Sequence, residues 1–241
     1  MSRWLVAFVT GALLIGALAV GCGDDDDDGN AATSTAEERP PSEVLAEAAD
    51  TFAALDSFHF TLTHENGATP FVFDLDLREA EGDIAAPDSL RTHVKADRGA
   101  VTVELDVVNI GEDIWVTDPF SGQWQKIDDP DFDIGDLFDP QAGIPDVLRG
   151  LQNAEMDGTE RIGDVETIRF RGTVDGGDIR AIAPIAEEGI EVPVVVWVGR
   201  DDGLVHRVRT EGRLSEDESD EVRRQIDLSE FNEPVEIEPP V

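Results

Sequence analysis

The sequence predicts an α+β fold: a large antiparallel sheet of about eight to ten strands with a few short helices. Three observations carry this. From Phe58 onward, apolar residues alternate with polar ones in run after run, the period of strands with one buried face and one wet face. Turn signals such as Asn66-Gly67 and Arg98-Gly99 separate those runs. Helical spacing is confined to a few short stretches, enough to cover one face of a curved sheet.

Composition sets the bounds. The chain has 241 residues, 40 % of them hydrophobic, which suffices for the core of about one domain. Acidic residues number 54 against 18 basic ones, a formal net charge of −36. Such a surface repels phosphates and excludes nucleic acid as a partner. Its plain meaning is solubility, or a salty or acidic habitat. Cys22 is the single cysteine, so no disulfide forms within the chain.

In chain order, the first element is a secretory signal over residues 1–21. Trp4 to Val20 carries no charge, Arg3 supplies the positive flank, and small residues precede Cys22. The ending Ala19-Val20-Gly21-Cys22 resembles the lipobox of bacterial lipoproteins. That resemblance implies cleavage before Cys22 and a diacylglyceryl group on its thiol, a membrane anchor worth about 0.8 kcal/mol per buried CH₂. Everything after Cys22 would then lie outside the cytoplasm. Residues 22–41 read as an acidic, disordered tether. Asp24 to Asp28 repel one another, and the small polar residues up to Pro40-Pro41 bury nothing.

The folded domain is expected over residues 42–232. Ser42 to Asp56 reads as a helix whose stripe is Leu45, Ala48, Ala49, Phe52 and Leu55. Period-two runs follow at Phe58 to Thr63, Phe71 to Arg78 and Val101 to Val108, with a more polar strand at Leu90 to Ala96. Asp113 to Val116 and Trp124 to Ile127 form a short hairpin. Asp128 to Asp133 is a loop, and Ile134, Leu137 and Phe138 suggest a short amphipathic turn. Ile144 to Leu151 reads as a second helix, with Ile144, Val147, Leu148 and Leu151 on one side. Strands resume at Asn153 to Ile162 and Glu166 to Val174. Asp178 to Glu188 reads as a third helix, interrupted near Pro184. Val192 to Gly199, Leu204 to Arg213 and Val222 to Phe231 complete the sheet. Residues 233–241 are a Pro-rich tail.

Enzyme readings fail by inventory. His59 and His64 stand an odd number apart on one strand and so face opposite ways, poor geometry for a shared metal. No HExxH, CxxC, phosphate loop or GxSxG elbow occurs. Ser57-Phe58-His59 lacks any identifiable third partner or oxyanion hole. No catalytic residue, cofactor or metal is assigned. What remains is apolar surface. The inner face of the sheet is expected to carry Phe60, Leu62, Phe71, Phe73, Leu75, Val101, Val103, Leu105, Ile168, Phe170 and Trp197. Leu148 and Leu151 form part of a helical lid. A filled core and a cavity for an apolar ligand want the same residue types, so this pattern alone leaves both open.

The second half of the chain adds a resemblance. Asp139-Pro140, Gly143-Ile144 and Val147-Leu148, followed by the run from Thr159 to Thr173, look like the LppX/LprG-type bacterial lipoproteins. So do Ile182-Ala183-Pro184, Val192 to Val198 and Asp202-Gly203-Leu204 in that order, and Leu55 to His59 after the first helix. The resemblance implies a strongly curved antiparallel half-barrel similar to LolA and LolB. Helices cover its concave face around an apolar cavity that holds acyl chains. It further implies a monomeric, non-enzymatic carrier of acylated lipid or glycolipid, anchored on the extracytoplasmic face of the cell membrane, with a membrane lipid transporter as partner. The alternative is a structural or interaction lipoprotein with a filled core, an accessory in envelope assembly.

Overall fold

The computed structural model describes residues 39–127, 143–180, 183 and 185–240. Helix α1 (Pro41–Ala53) opens on a proline, whose fixed φ suits a first turn, and Glu43 lies in that turn. Its stripe of Val44, Leu45, Ala48, Ala49 and Phe52 is buried. Seven strands follow: β1 (Ser57–Glu65), β2 (Thr69–Phe71), β3 (Leu75–Ala85), β4 (Ser89–Arg98), β5 (Val101–Ile110), β6 (Asp113–Thr117) and β7 (Trp124–Ile127). Helix α2 (Ile144–Gly150) precedes β8 (Gln152–Ile162), β9 (Val165–Asp175), β10 (Glu191–Gly199), β11 (Val205–Glu211) and β12 (Arg223–Ser229).

The described strands make one antiparallel sheet in the order β7-β6-β5-β4-β3-β1-β12-β11-β10-β9-β8, with β2 beside β3. It does not close, because β7 and β8 end the path. With two helices on its inner side it is a half-barrel. Two local meanders, one running from β1 out to β7 and one from β8 in to β12, meet where β1 pairs with β12. Around that seam, α1 and α2 pack on each other and on a core that includes Phe58, Ile168, Phe170 and Val192. The Phe52 and Phe58 rings meet at 5.4 Å.

Three expectations need correction. The described residues hold twelve strands rather than eight to ten. Phe71 to Arg78 is not one strand. Phe71 pairs with Leu75, so the three residues between them must reverse the chain. They do so in a 3₁₀ turn with Phe73 and Asp74 in the left-handed region, at φ 59° and 54°. The alternating aromatics carry no sign of that reversal. Among the described residues the third helix is also absent: a 3₁₀ turn over Gly176–Ile179 stands at its start. Local bonds remain, Ala183 N–H to the Ile179 carbonyl at 2.8 Å and Ala186 N–H to the Ala183 carbonyl at 2.9 Å, but other backbone groups around it bond to distant partners. Gly176 N–H reaches the Ile190 carbonyl and Glu187 N–H the Leu214 carbonyl, each at 2.8 Å. The Asp175 carboxylate takes the Gly177 and Gly189 amides at 2.8 and 3.0 Å, pinning both ends of the segment. The signal, nearly all of the tether, the Asp128 to Asp133 loop and the turn at Ile134 to Phe138 lie outside the described residues.

Candidate functional site: an apolar cavity under the seam

Strand parity decides which side chains face inward. On β1, Phe58, Phe60, Leu62 and His64 face the concave side, while His59 turns outward to Asp83. Leu62 sits opposite Ile226 on β12 and Ala80 on β3. Ile226 sits opposite Val208, which sits opposite Val196, and Ala80 sits opposite Val94. This row floors a cavity of about 510 Å³. Ile144, Val147, Leu148 and Leu151, at and just after α2, form one wall with Ile179, Ala183 and Ile185. The volume falls in the usual range for small-molecule sites. From Phe58 to His64 the floor runs roughly 20 Å along β1, at about 3.3 Å per residue.

The lining is apolar except chiefly at one end, where His64, Thr69, Thr210 and Arg224 gather. Arg224, only 8 % exposed, pairs with the equally buried Glu218, so its charge is neutralised locally. Burial holds His64 below its ordinary pKa, helped by the nearby Arg224 and Arg78 and opposed by its bond to the Arg78 carbonyl. Neutral His64 donates from Nδ1 to that carbonyl at 3.0 Å, which leaves Nε2 free to accept from the Thr69 hydroxyl at 2.8 Å. Leu214 also lines this end.

The structure sorts the described residues expected on the wall into five groups. Phe60, Leu62, Leu148 and Leu151 line the cavity. Ile168 and Phe170 are buried in the filled core beside it, and Leu75, Val103 and Leu105 in a second apolar cluster on the β3–β6 wing. Neither group is among the lining residues. Phe73 and Val101 do not belong to the wall: they are 39 % and 58 % exposed, Phe73 in the 3₁₀ turn and Val101 at the start of its strand. Trp197 is also corrected. It stands opposite Arg169 and Arg207, one residue out of phase with Val196, and so lies on the outer face. There its Nε1–H donates to Glu160 at 2.9 Å and the Arg207 and Arg209 guanidinium groups stand 5.7 and 5.1 Å from its ring. Cys22 and the Phe71 side chain lie outside the described residues. Val196, Val208, Ile226 and Val94 were missed as lining residues. Their period-two spacing was visible, but three of these four strands are rich in Arg, Lys or His, which disguised the inward residues.

The outer face carries a polar depression beside His59, Asp83, Arg91 and His93. His59, Asp83 and Glu230 bring ligand-type atoms within 4.8 Å of one another. Both Asp83 oxygens are already engaged, by His59 Nδ1–H at 2.9 Å and Arg91 at 2.8 Å.

The chain has relatives. It is 29 % identical over 203 residues to a lipoarabinomannan carrier protein, LprG, of Mycobacterium tuberculosis, covering 82 % of this chain and 81 % of that one. It is 25 % identical over 249 residues to LprG of Mycolicibacterium hassiacum, covering 100 % and 99 %. Among solved structures, LprF of Mycobacterium bovis superposes with a TM-score of 0.67 at 18 % identity, covering 86 % of this chain and 99 % of that one. LppX of Mycobacterium tuberculosis superposes with a TM-score of 0.59 at 21 % identity, covering 83 % and 100 %. These two establish the fold. The model of the LppX_LprAFG lipoproteins matches residues 40–237, and the chain therefore belongs to the LppX_LprAFG lipoprotein family.

Proposed function

We propose that the protein takes an acylated lipid or glycolipid into the cavity under the seam and carries or presents it across the cell envelope. The observation that carries this reading is the cavity itself, about 510 Å³ walled almost wholly by aliphatic and aromatic side chains. Acyl chains suit such a wall, since each buried CH₂ contributes about 0.8 kcal/mol and needs no polar partner. The LprG relatives are named as carriers of lipoarabinomannan. The family is one of lipoproteins and carriers, not of enzymes. In this reading residues 1–21 are the cleaved signal, Cys22 carries the lipid anchor on the extracytoplasmic face of the cell membrane, and residues 22–41 are the tether. The domain of residues 42–232 is monomeric and exchanges lipid with a membrane transporter.

The test is organic extraction of the protein purified without detergent from a bacterial envelope, with mass spectrometry of the extract. Extraction removes lipid held in the cavity and leaves chains bonded to Cys22 in place. A stoichiometric acylated lipid is expected from the wild type, and little from Leu62→Trp, which fills the floor. An empty extract from the wild type, unchanged after incubation with envelope lipids, would overturn the reading.

A further inference from the structure

Among the described residues three large apolar side chains are exposed: Phe73, Val101 and Phe120, the last 70 % so. Strand register gathers all three at one end of the sheet. Phe71 pairs with Leu75, which makes Phe73 the tip of the β2–β3 reversal. Asp76 pairs with Asp97 and Arg98 with Val101, so the β4–β5 turn stands beside the start of β3. Val107 pairs with Val116, so β6 runs back toward the start of β5, and the turn after it, Asp118 to Gly122, carries Phe120 in that same direction. From β3 to β6 is three strand spacings, roughly 15 Å. The polar end of the cavity lies at this end of the sheet as well, because His64 stands next to the end of β1 and Thr69 opens β2.

Two of the tips are held out by local structure. Phe73 sits at φ 59°, in the left-handed region where glycine or asparagine costs less than an aromatic residue. Phe120 rides on a turn closed by Asp118. The Asp118 carboxylate accepts from the Phe120 amide at 3.1 Å, the Ser121 amide at 2.7 Å and the Ser121 hydroxyl at 2.8 Å. The Gly122 amide reaches the Asp118 carbonyl at 2.8 Å. A turn already ordered loses little entropy when its tip is bound.

The three side chains are separate tips on separate turns, not one continuous apolar patch. A rigid protein partner would need a matching hole for each. Fluid hydrocarbon takes each tip independently, and three tips define a plane that a lipid surface can meet. Charge narrows the choice of lipid. Asp74, Asp76 and Asp118 flank the tips against Arg98, Asp97 is paired with Arg78 at 3.4 Å, and the whole chain carries −36. Anionic headgroups repel such a surface, and neutral ones do not.

We infer that the end of the sheet bearing Phe73, Val101 and Phe120 docks on a neutral lipid bilayer, with the three tips in the interface and the polar end of the cavity toward the headgroups. This goes beyond the carrier reading and is separable from it: the contact is read from the bilayer, whatever the organic extract of the protein contains.

The experiment uses the mature, membrane-anchored protein in phosphatidylcholine vesicles, with the fluorophore NBD attached at Ala100→Cys. Ala100 is exposed in the β4–β5 turn, so all three tips stay intact. The control is NBD at Glu112→Cys, exposed in the β5–β6 turn at the opposite end. Wild-type protein taken through the same labelling supplies the background. Doxyl-labelled lipids are expected to quench the label at position 100 severalfold and to leave that at 112 unchanged. Phe73→Ser combined with Phe120→Ser is expected to lose most of the quenching at 100, with a thermal melt confirming that the fold is intact. Added phosphatidylglycerol is expected to weaken the quenching and salt to restore it. No quenching at 100, equal quenching at both positions, or full quenching in the double variant would overturn the docking surface. Stronger quenching on phosphatidylglycerol would overturn the assignment to neutral lipid.

Discussion

Two adjacent rows of the sheet, one residue apart, have opposite chemistry. The inner row runs from Phe170 through Val196, Val208, Ile226, Leu62, Ala80 and Val94 to Leu105. The outer row, shifted by one, runs from Arg169 through Trp197, Arg207, Asp227, Thr61, Glu81 and His93 to Asp106. The inner row has no polar side chain, and the outer row has a single large apolar one. That one, Trp197, is 1 % exposed because arginines cover it. Burial therefore does not distinguish the two faces. What covers the residue does: packed hydrocarbon or empty volume on one side, guanidinium groups and carboxylates on the other.

Breaking the inner row has the largest effect. Phe170 is fully buried, and Phe170→Ala is expected to cost about 3–5 kcal/mol in a urea titration. A loss below about 1 kcal/mol would mean that the core collapses around the gap. On the outer row, Trp197→Phe removes the bond to Glu160 and is expected to cost about 1 kcal/mol without altering lipid content. A Trp197 variant that lost its lipid would contradict the separation of the two faces.

Acid sharpens the same contrast. Burial depresses His64 on the inner side. The unfolded chain therefore binds a proton there more readily than the folded one. Stability should be full above about pH 6.5, the unfolded histidine value, and fall as pH drops toward the folded value. On the outer side burial works against the ionised Asp83, but hydrogen bonds from His59 and Arg91 prevail and hold it below its ordinary value. Its contribution should persist above about pH 3.9 and disappear only as pH falls through the depressed value. Urea midpoints across this range should show two separate losses, and His64→Gln should remove only the upper one. The smallest effect is expected at Lys95, whose exposed pair with Glu79 spans 3.0 Å. Lys95→Ala should leave the urea midpoint unchanged.

Much of this was legible in sequence. The α1 stripe, the α2 face and the alternation at Phe60 and Leu62 each placed residues where the structure has them, because amphipathic period reports burial directly. Trp197 misled because size and apolarity say nothing about which side of a strand is inner. Only its pairing with Arg169 and Arg207 does. Phe73 misled because a reversal depends on which strands pair. The polar end was invisible for the same reason: His64 is far from Thr210 and Arg224 in sequence and becomes their neighbour only through strand register.

The seam between the two meanders has a kinetic consequence. β1 is made early and its partner β12 nearly last; at its start the Asp56 amide bonds to Asn232 across 176 positions. Contacts so remote in sequence are late and slow to form. Until β12 emerges, the first meander has an unpaired edge and an uncovered inner face, the features that invite strand addition by other chains. The cavity is thus the last part of the molecule to exist: lipid loading cannot precede completion of the chain, and a nascent copy is most vulnerable to aggregation in the interval before its final strand arrives.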